Sequence, residues 1–339
     1  MSETFKILSI DGGGFRGLFS AAALSEIEKV NGSIAEHFDL LCGTSTGGLI
    51  AIAIAAGRSA QEIVDFYKNW GPKIFPEPTL IRKGKRKISQ VFAPNSRNSN
   101  KVLKEAIQEI IGDKKMADAN SYLCIPAVSL IDYSPIVFKT DHAPMLTRDS
   151  SGLMKDVALA TSAAPLYFPV AEAEHLPGGE FLDGGLWANN PALVSLVEAG
   201  RFFVGSKLPY KKVQIFSLAS VSPAAGRASG GKRKLSVLST GEIFTATLES
   251  QQKSTEYLIK FIIPALDFGV EYIRVPSPSI SVEHCAFIGL DIANERAIKT
   301  LEYYGRKIGN EWSSSPEIES FFTEKSLPPK FTKMKAHKK

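Results

Sequence analysis

The chain has 339 residues, enough for one large α/β domain or two ordinary ones, and its 44% hydrophobic and 22% charged content argues against wholesale disorder. Net charge is only +5, no DNA or RNA binding is expected, and the three cysteines, Cys42, Cys124 and Cys285, have no metal-ligand spacing. Met1–Thr4 carries no basic–apolar–small leader, and the longest apolar run, Leu49 to Ala56, is too short to span a bilayer. Together with the odd cysteine count, these features predict a soluble protein of a reducing compartment.

In chain order, Phe5 to Ile10 reads as a buried strand and Leu18 to Val30 as a helix with Leu24, Ile27 and Val30 on one face. Phe38 to Cys42 is a second strand, followed by a nearly all-apolar helix from Gly47 to Ala56 that Gly57 ends. Ser59 and Glu62 form a capping-box pattern ahead of Ile63, Val64, Phe66, Tyr67 and Trp70, so a further helix begins there. Short turns between alternating strands and helices imply a parallel sheet covered on both faces.

From Gly71 to Asn98 the pattern breaks around Pro72, Pro76, Pro78 and Pro94, giving a long irregular segment of the kind that forms a lid or an exposed loop. Helical spacing resumes at Val102 to Ile111, and Leu123 to Leu130 pairs with Ile136 to Lys139 across the turn at Asp132–Pro135. Asn190 caps a helix that Pro191 starts and that runs to about Gly200, and Val213 to Ala219 is another buried strand. Ser222 to Lys234 is a Gly/Ser/Ala-rich flexible loop. Helices near Ile243–Ile259 and Asn294–Ile308 flank a strand at Val270 to Val275. With no internal repeat, one domain over 1–310 with inserted loops, followed by a basic extension over 311–339, is the simplest organisation.

Basic residues gather in Arg82–Lys87, in Lys232–Lys234, and in the tail at Lys330, Lys333, Lys335, Lys338 and Lys339. Each run reads either as solvated surface or as attraction to an anionic membrane or a nucleotide.

Three glycine-bearing segments carry the chemistry. In Gly43-Thr44-Ser45-Thr46-Gly47 one serine is bracketed by glycines at a strand-to-helix turn. Gly43 and Gly47 permit the tight turn, and Ser45 sits at a helix N-terminus where a developing negative charge is favoured. A serine that merely caps the helix would not need glycines on both sides. In Asp11-Gly12-Gly13-Gly14-Phe15-Arg16-Gly17, the amides of Gly12, Gly13 and Gly14 follow a strand and can approach an oxyanion closely. Arg16 either adds a cation there or anchors the loop to a carbonyl, and Asp11 braces the loop. Asp183-Gly184-Gly185 places a carboxylate on a tight turn after Phe181 and Leu182. Desolvation would raise its pKa and make it a competent base toward a hydroxyl.

Gly12, Gly14 and Gly17 also satisfy the dinucleotide fingerprint G-x-G-x-x-G. That alternative, an oxidoreductase, demands a ribose-binding carboxylate at the end of the second strand, where Leu41-Cys42-Gly43 stands instead. Of the five histidines, His37, His142, His175, His284 and His337, none occupies a strand-end motif, and surface or turn positions are expected for them.

These residues resemble the patatin-like phospholipases, serine acyl hydrolases with a Ser–Asp dyad. The family's Asp-Gly-Gly-Gly-x-Arg-Gly segment is matched by Asp11 to Gly17, its Gly-x-Ser-x-Gly elbow by Gly43 to Gly47, and its Asp-Gly-Gly/Ala by Asp183 to Gly185. Ala160-Thr161-Ser162-Ala163-Ala164-Pro165 and Asn189-Asn190-Pro191 extend the likeness over Phe5 to Ala219. Phe216-Ser217-Leu218-Ala219-Ser220 departs from the Gly-Thr-Gly turn of many relatives.

The resemblance implies a three-layer α/β/α fold with a central, mostly parallel sheet. It implies Ser45 as nucleophile, Asp183 as base, an oxyanion hole from Gly12, Gly13, Gly14 and Arg16, and metal-free hydrolysis of phospholipid esters at a membrane surface. A non-phospholipid acyl ester hydrolase, a constitutive enzyme of lipid metabolism and a non-catalytic lipid-binding or storage protein are the other readings of the same residues. Likeness to bacterial members adds the expectation of a cytoplasmic effector that meets the inner face of the cell membrane transiently. Such an effector is switched on by a cyclic dinucleotide or oligonucleotide in anti-phage defence.

Overall fold

A computed structural model describes residues 3–77, 100–173, 179–222 and 240–331. The expected lid over 71–98 and flexible loop over 222–234 therefore lie outside the described residues, except for 71–77 and Ser222, as do His175, His337 and the basic runs at 82–87 and 232–234.

The first half of the chain contributes β1 (Thr4–Ile10), α1 (Gly17–Asn31), α2 (Ile34–His37), β2 (Leu40–Gly43), α3 (Thr46–Ala55), α4 (Ala60–Ile74), α5 (Asn100–Ile111), β3 (Tyr122–Ser129), β4 (Pro135–Lys139) and α6 (Met154–Thr161). Then follow β5 (Ala171–Glu172), β6 (Glu180–Asp183), α7 (Gly185–Ala188), α8 (Ala192–Phe202), β7 (Lys212–Leu218), α9 (Thr240–Ile262), β8 (Gly269–Val275), α10 (Val282–Cys285), α11 (Glu295–Ser313) and α12 (Pro316–Phe322). The strands form one sheet in the order β5-β6-β3-β2-β1-β7-β8, with β4 paired to β3. From β3 to β8 the pairing is parallel, while β4, β5 and β6 add antiparallel pairs at the other side.

Side chains alternate across this sheet with the period of two that a strand imposes. Leu8 and Ile10 of β1 join a core with α1, α3, α4, α5, α6 and α11, whereas Phe5 and Ile7 join a second core with α8 and Ile259 of α9. Apolar runs in the central strands are thus buried on both sides, which is the three-layer α/β/α arrangement. Every residue of α3 is buried, as expected of a helix apolar all round. Ser59 and Glu62 do form the capping box that opens α4.

Three local expectations need correction. The break placed at Gly71 comes later, because α4 continues through Pro72 to Ile74. Proline there removes one ladder bond near the helix end, and Phe75 N still reaches the Gly71 carbonyl at 2.8 Å. Val30, placed on one face with Leu24 and Ile27, is 60% exposed in the last turn of α1, whereas Leu24 and Ile27 are fully buried. His142, expected at a surface or turn position, does lie in the loop after β4, but its side chain is turned inward among Tyr122, Phe202 and Phe203, where its Nε2 lies 2.8 Å from Glu198. At the C-terminal side α11 runs across residue 310, and Ile318 and Phe321 of α12 enter the main core.

Candidate active site

β3 brings the serine and the aspartate together. Cys124 pairs with Cys42 of β2 and with Lys139 of β4, and Ala127 pairs with Ile136 of β4 and with Asp183 of β6. β2 and β6 therefore share one edge of β3, β2 over residues 122–124 and β6 over 127–129. They run in opposite directions, so their C-terminal ends meet head to head. β2 ends two residues before Ser45, and β6 ends on Asp183.

Ser45 has φ 55° and ψ −124°, a strained conformation for a side-chain-bearing residue and the mark of a nucleophile elbow. A Cβ on Gly43 would lie 2.1 Å from the Gly47 carbonyl oxygen, and one on Gly47 would lie 2.3 Å from that of Ile10. Only hydrogen fits at both positions. Three further bonds hold the turn. Ser45 N donates to Thr161 Oγ1 at 2.9 Å, Thr161 Oγ1 donates to the Pro126 carbonyl at 2.6 Å, and Thr44 Oγ1 donates to the Ala188 carbonyl at 2.6 Å.

The hydroxyl of Ser45 donates to Asp183 Oδ2 at 2.6 Å, and Asp183 Oδ1 accepts from Gly185 N at 2.6 Å. Asp183 is 2% exposed. Desolvation raises its pKa from 3.8 to about 7, against the lowering pull of the Ser45 hydroxyl and the Gly185 amide. A carboxylate poised there can exchange a proton with a hydroxyl near neutral pH. The described histidines bond elsewhere: His37 to the Ser33 carbonyl, His142 to Glu198 and His284 to Tyr304.

The candidate oxyanion loop divides. Gly12 donates its amide to the Asn189 carbonyl at 2.9 Å, so this N–H is spent within the fold and Gly12 leaves the set of candidate donors. The amides of Gly13 and Gly14 take no acceptor among the described residues, and both residues line the cleft beside Ser45. Gly14 needs its missing side chain, since φ is +58° and a Cβ would lie 2.4 Å from the Leu290 carbonyl oxygen. Between the two roles open to Arg16, the geometry favours the anchor: the residue is 3% exposed, with Nε on the Gly13 carbonyl at 3.2 Å and Nη1 on Glu249 at 3.4 Å.

Asp11 braces the loop through Arg274, which donates to both carboxylate oxygens at 2.8 and 2.6 Å. Burial alone would lower the Arg274 pKa, and the charge of Asp11 more than reverses it, so the guanidinium stays charged. Asp39, at the start of β2, accepts from Lys6 N at 2.8 Å, at the strand end away from Ser45.

Ser45 opens into a narrow cleft walled largely by Leu49, Phe66, Ile74, Phe75, Leu103 and Phe168. An apolar channel ending on a hydroxyl suits an acyl chain. Among the described residues there is no group of three His, Cys, Asp or Glu placed to hold a metal ion, and no helix is long and apolar enough to cross a membrane.

Sequence reasoning left Thr161 without a role, although it lies in a noted motif, and missed Glu249 and Arg274 altogether. A lone arginine inside the apolar strand-like run Val270–Val275 was the available signal, because a charge is rarely buried without a partner.

Residues 8–196 match the family described as patatin-like phospholipase. The chain is 31% identical to the cGAMP-activated phospholipase of Vibrio cholerae serotype O1, over 95% of each chain. It is 30% identical to the protein of that name from Escherichia coli strain TW11681, over 96% of this chain and 95% of the relative. Patatin-like protein 2 of Arabidopsis thaliana is 29% identical over 91% of this chain and 83% of its own length.

Proposed function

Because the chain belongs to the patatin-like phospholipase family and is a lipid acyl hydrolase, we propose that Ser45 is its nucleophile and Asp183 its general base, with the amides of Gly13 and Gly14 as the oxyanion hole. The 2.6 Å hydrogen bond from Ser45 Oγ to a buried carboxylate carries this reading.

Asp183 takes the proton of Ser45 as Oγ attacks the ester carbonyl, and the tetrahedral oxyanion rests on the amides of Gly13 and Gly14. Asp183 then gives the proton to the leaving alkoxide. In the second half it takes a proton from the water that attacks the acyl-enzyme carbonyl, and returns that proton to Ser45 Oγ as the ester bond to the serine breaks and the fatty acid leaves. Thr161 fixes the backbone of the nucleophile, and Arg16 anchors the loop. The substrate in this reading is a membrane phospholipid, whose acyl chain enters the cleft while its headgroup stays at the mouth.

Near-full-length similarity to cGAMP-activated phospholipases supports a second element: activation by a cyclic dinucleotide, in a cytoplasmic protein that meets the membrane transiently as an antiviral effector. Acyl release from phospholipid vesicles tests both. With cGAMP present, wild type should release fatty acid while Ser45→Ala and Asp183→Asn should fall to background; activity in either variant overturns the dyad. Equal wild-type rates with and without cGAMP overturn the activation.

A further inference from the structure

We propose that α9 clamps the oxyanion loop at both ends, with Glu249 and Arg274 as positioning residues that set the amides of Gly13 and Gly14; this rests on the reading of Ser45 and those amides given above. At the loop's start, Asp11 has no exposure to solvent and both its oxygens are held by Arg274. Arg274 stands on β8, two strands from β1, and crosses β7 with Nη1 on Ser217 Oγ at 2.7 Å. Its Nε then meets Glu256 of α9 at 3.2 Å. At the loop's end, Arg16 is tied to the Gly13 carbonyl and to Glu249 of α9, and Glu249 is itself steadied by Ser222 Oγ at 3.1 Å.

Glu249 and Glu256 are seven residues apart, so they lie on one face of α9 about 10 Å from each other. The circuit Glu256–Arg274–Asp11–loop–Arg16–Glu249 is therefore closed by a single helix. The same helix contributes Phe244 and Leu248 to the cleft wall. Through Gln251 it also accepts from Asn190 N at 3.0 Å, next to the Asn189 carbonyl that holds Gly12.

A buried ion pair is weak evidence for stability, because desolvation cancels much of the attraction. What a two-point guanidinium–carboxylate contact supplies is orientation. Orientation matters here, since amide donors act only when aimed at the place where the oxyanion forms, and a shift of about 1 Å costs on the order of 100-fold in rate.

The test is steady-state hydrolysis of a soluble chromogenic acyl ester by the full chain, with cGAMP present throughout. Melting temperature is recorded for each variant. Glu249→Ala and Arg274→Gln should each lower kcat by about 10- to 100-fold, with KM within about twofold of wild type. Glu249→Gln, which keeps an acceptor for Arg16, should recover most of the loss. A doubly substituted protein should lose less than the product of the two single losses, because a loop released at one end is already misplaced. The clamp is overturned if folded Glu249→Ala retains kcat within about twofold, if the loss lies in KM alone, or if the two losses multiply. Residual activity in Ser45→Ala would instead remove the dyad reading on which the clamp rests.

Discussion

Burial of Asp183 gives a stability prediction that can be separated from catalysis. Its pKa rises from 3.8 in an ordinary setting to about 7 in the fold, with desolvation as the chief cause. Between those two values the unfolded chain has lost the proton and the folded one keeps it. The native state therefore binds more protons, and stability falls as pH rises, up to the folded value. From pH 5 to just above 7 that is about two units, or on the order of 2–3 kcal/mol lost at this one site. Above the folded value the cost is complete and stays constant.

Asp183→Asn keeps the shape and the contacts with Ser45 and Gly185 but cannot ionise. The measurement is denaturant unfolding of wild type and variant at pH 5 and pH 8.5. The gap between the two proteins should shift in favour of the variant by about 2–3 kcal/mol on going to the higher pH. Effects of other titrating groups, such as Asp39, cancel in that difference. A gap equal at both values would mean that Asp183 is not held neutral by its surroundings. Its role as a base poised near neutrality would fall with it.

Two further outcomes follow from local geometry. Gly14→Ala should abolish activity and lower the melting temperature, because its Cβ would meet the Leu290 carbonyl oxygen at 2.4 Å; Gly112→Ala, also at positive φ (+72°) but with open space around it, should cost only about 1 kcal/mol of strain and leave turnover unchanged. Comparing melting curves and rates for the pair checks this, and equal damage in both would mean that backbone strain rather than the close approach decides. Ala164→Leu narrows the apolar cleft beside Ser45 and should lower kcat/KM for long acyl esters about tenfold relative to acetyl esters. An unchanged ratio in a chain-length series would place the acyl chain elsewhere.

What the sequence determined by itself is the chemistry that local pattern can carry. Phe5 to Ile10, the elbow Gly43–Gly47 and Asp183-Gly184-Gly185 were all legible, because strand period, turn glycines and a carboxylate on a small-residue turn are properties of neighbouring residues. Tertiary structure alone decided which amides lack an acceptor among the described residues. Gly12 and Gly13 look alike in the chain, and only the Asn189 carbonyl, 2.9 Å from Gly12 N, removes one of them from the candidate donors. The meeting of Ser45 with Asp183 also depends on β3, whose one edge receives β2 and then β6 from the opposite direction. Arg274 lies 263 residues from Asp11 in the chain, and its bond to that carboxylate arises from the order β1-β7-β8. Periodicity records which face a residue turns to the core. Which distant partner waits there is set by strand order, and strand order is a property of the assembled sheet.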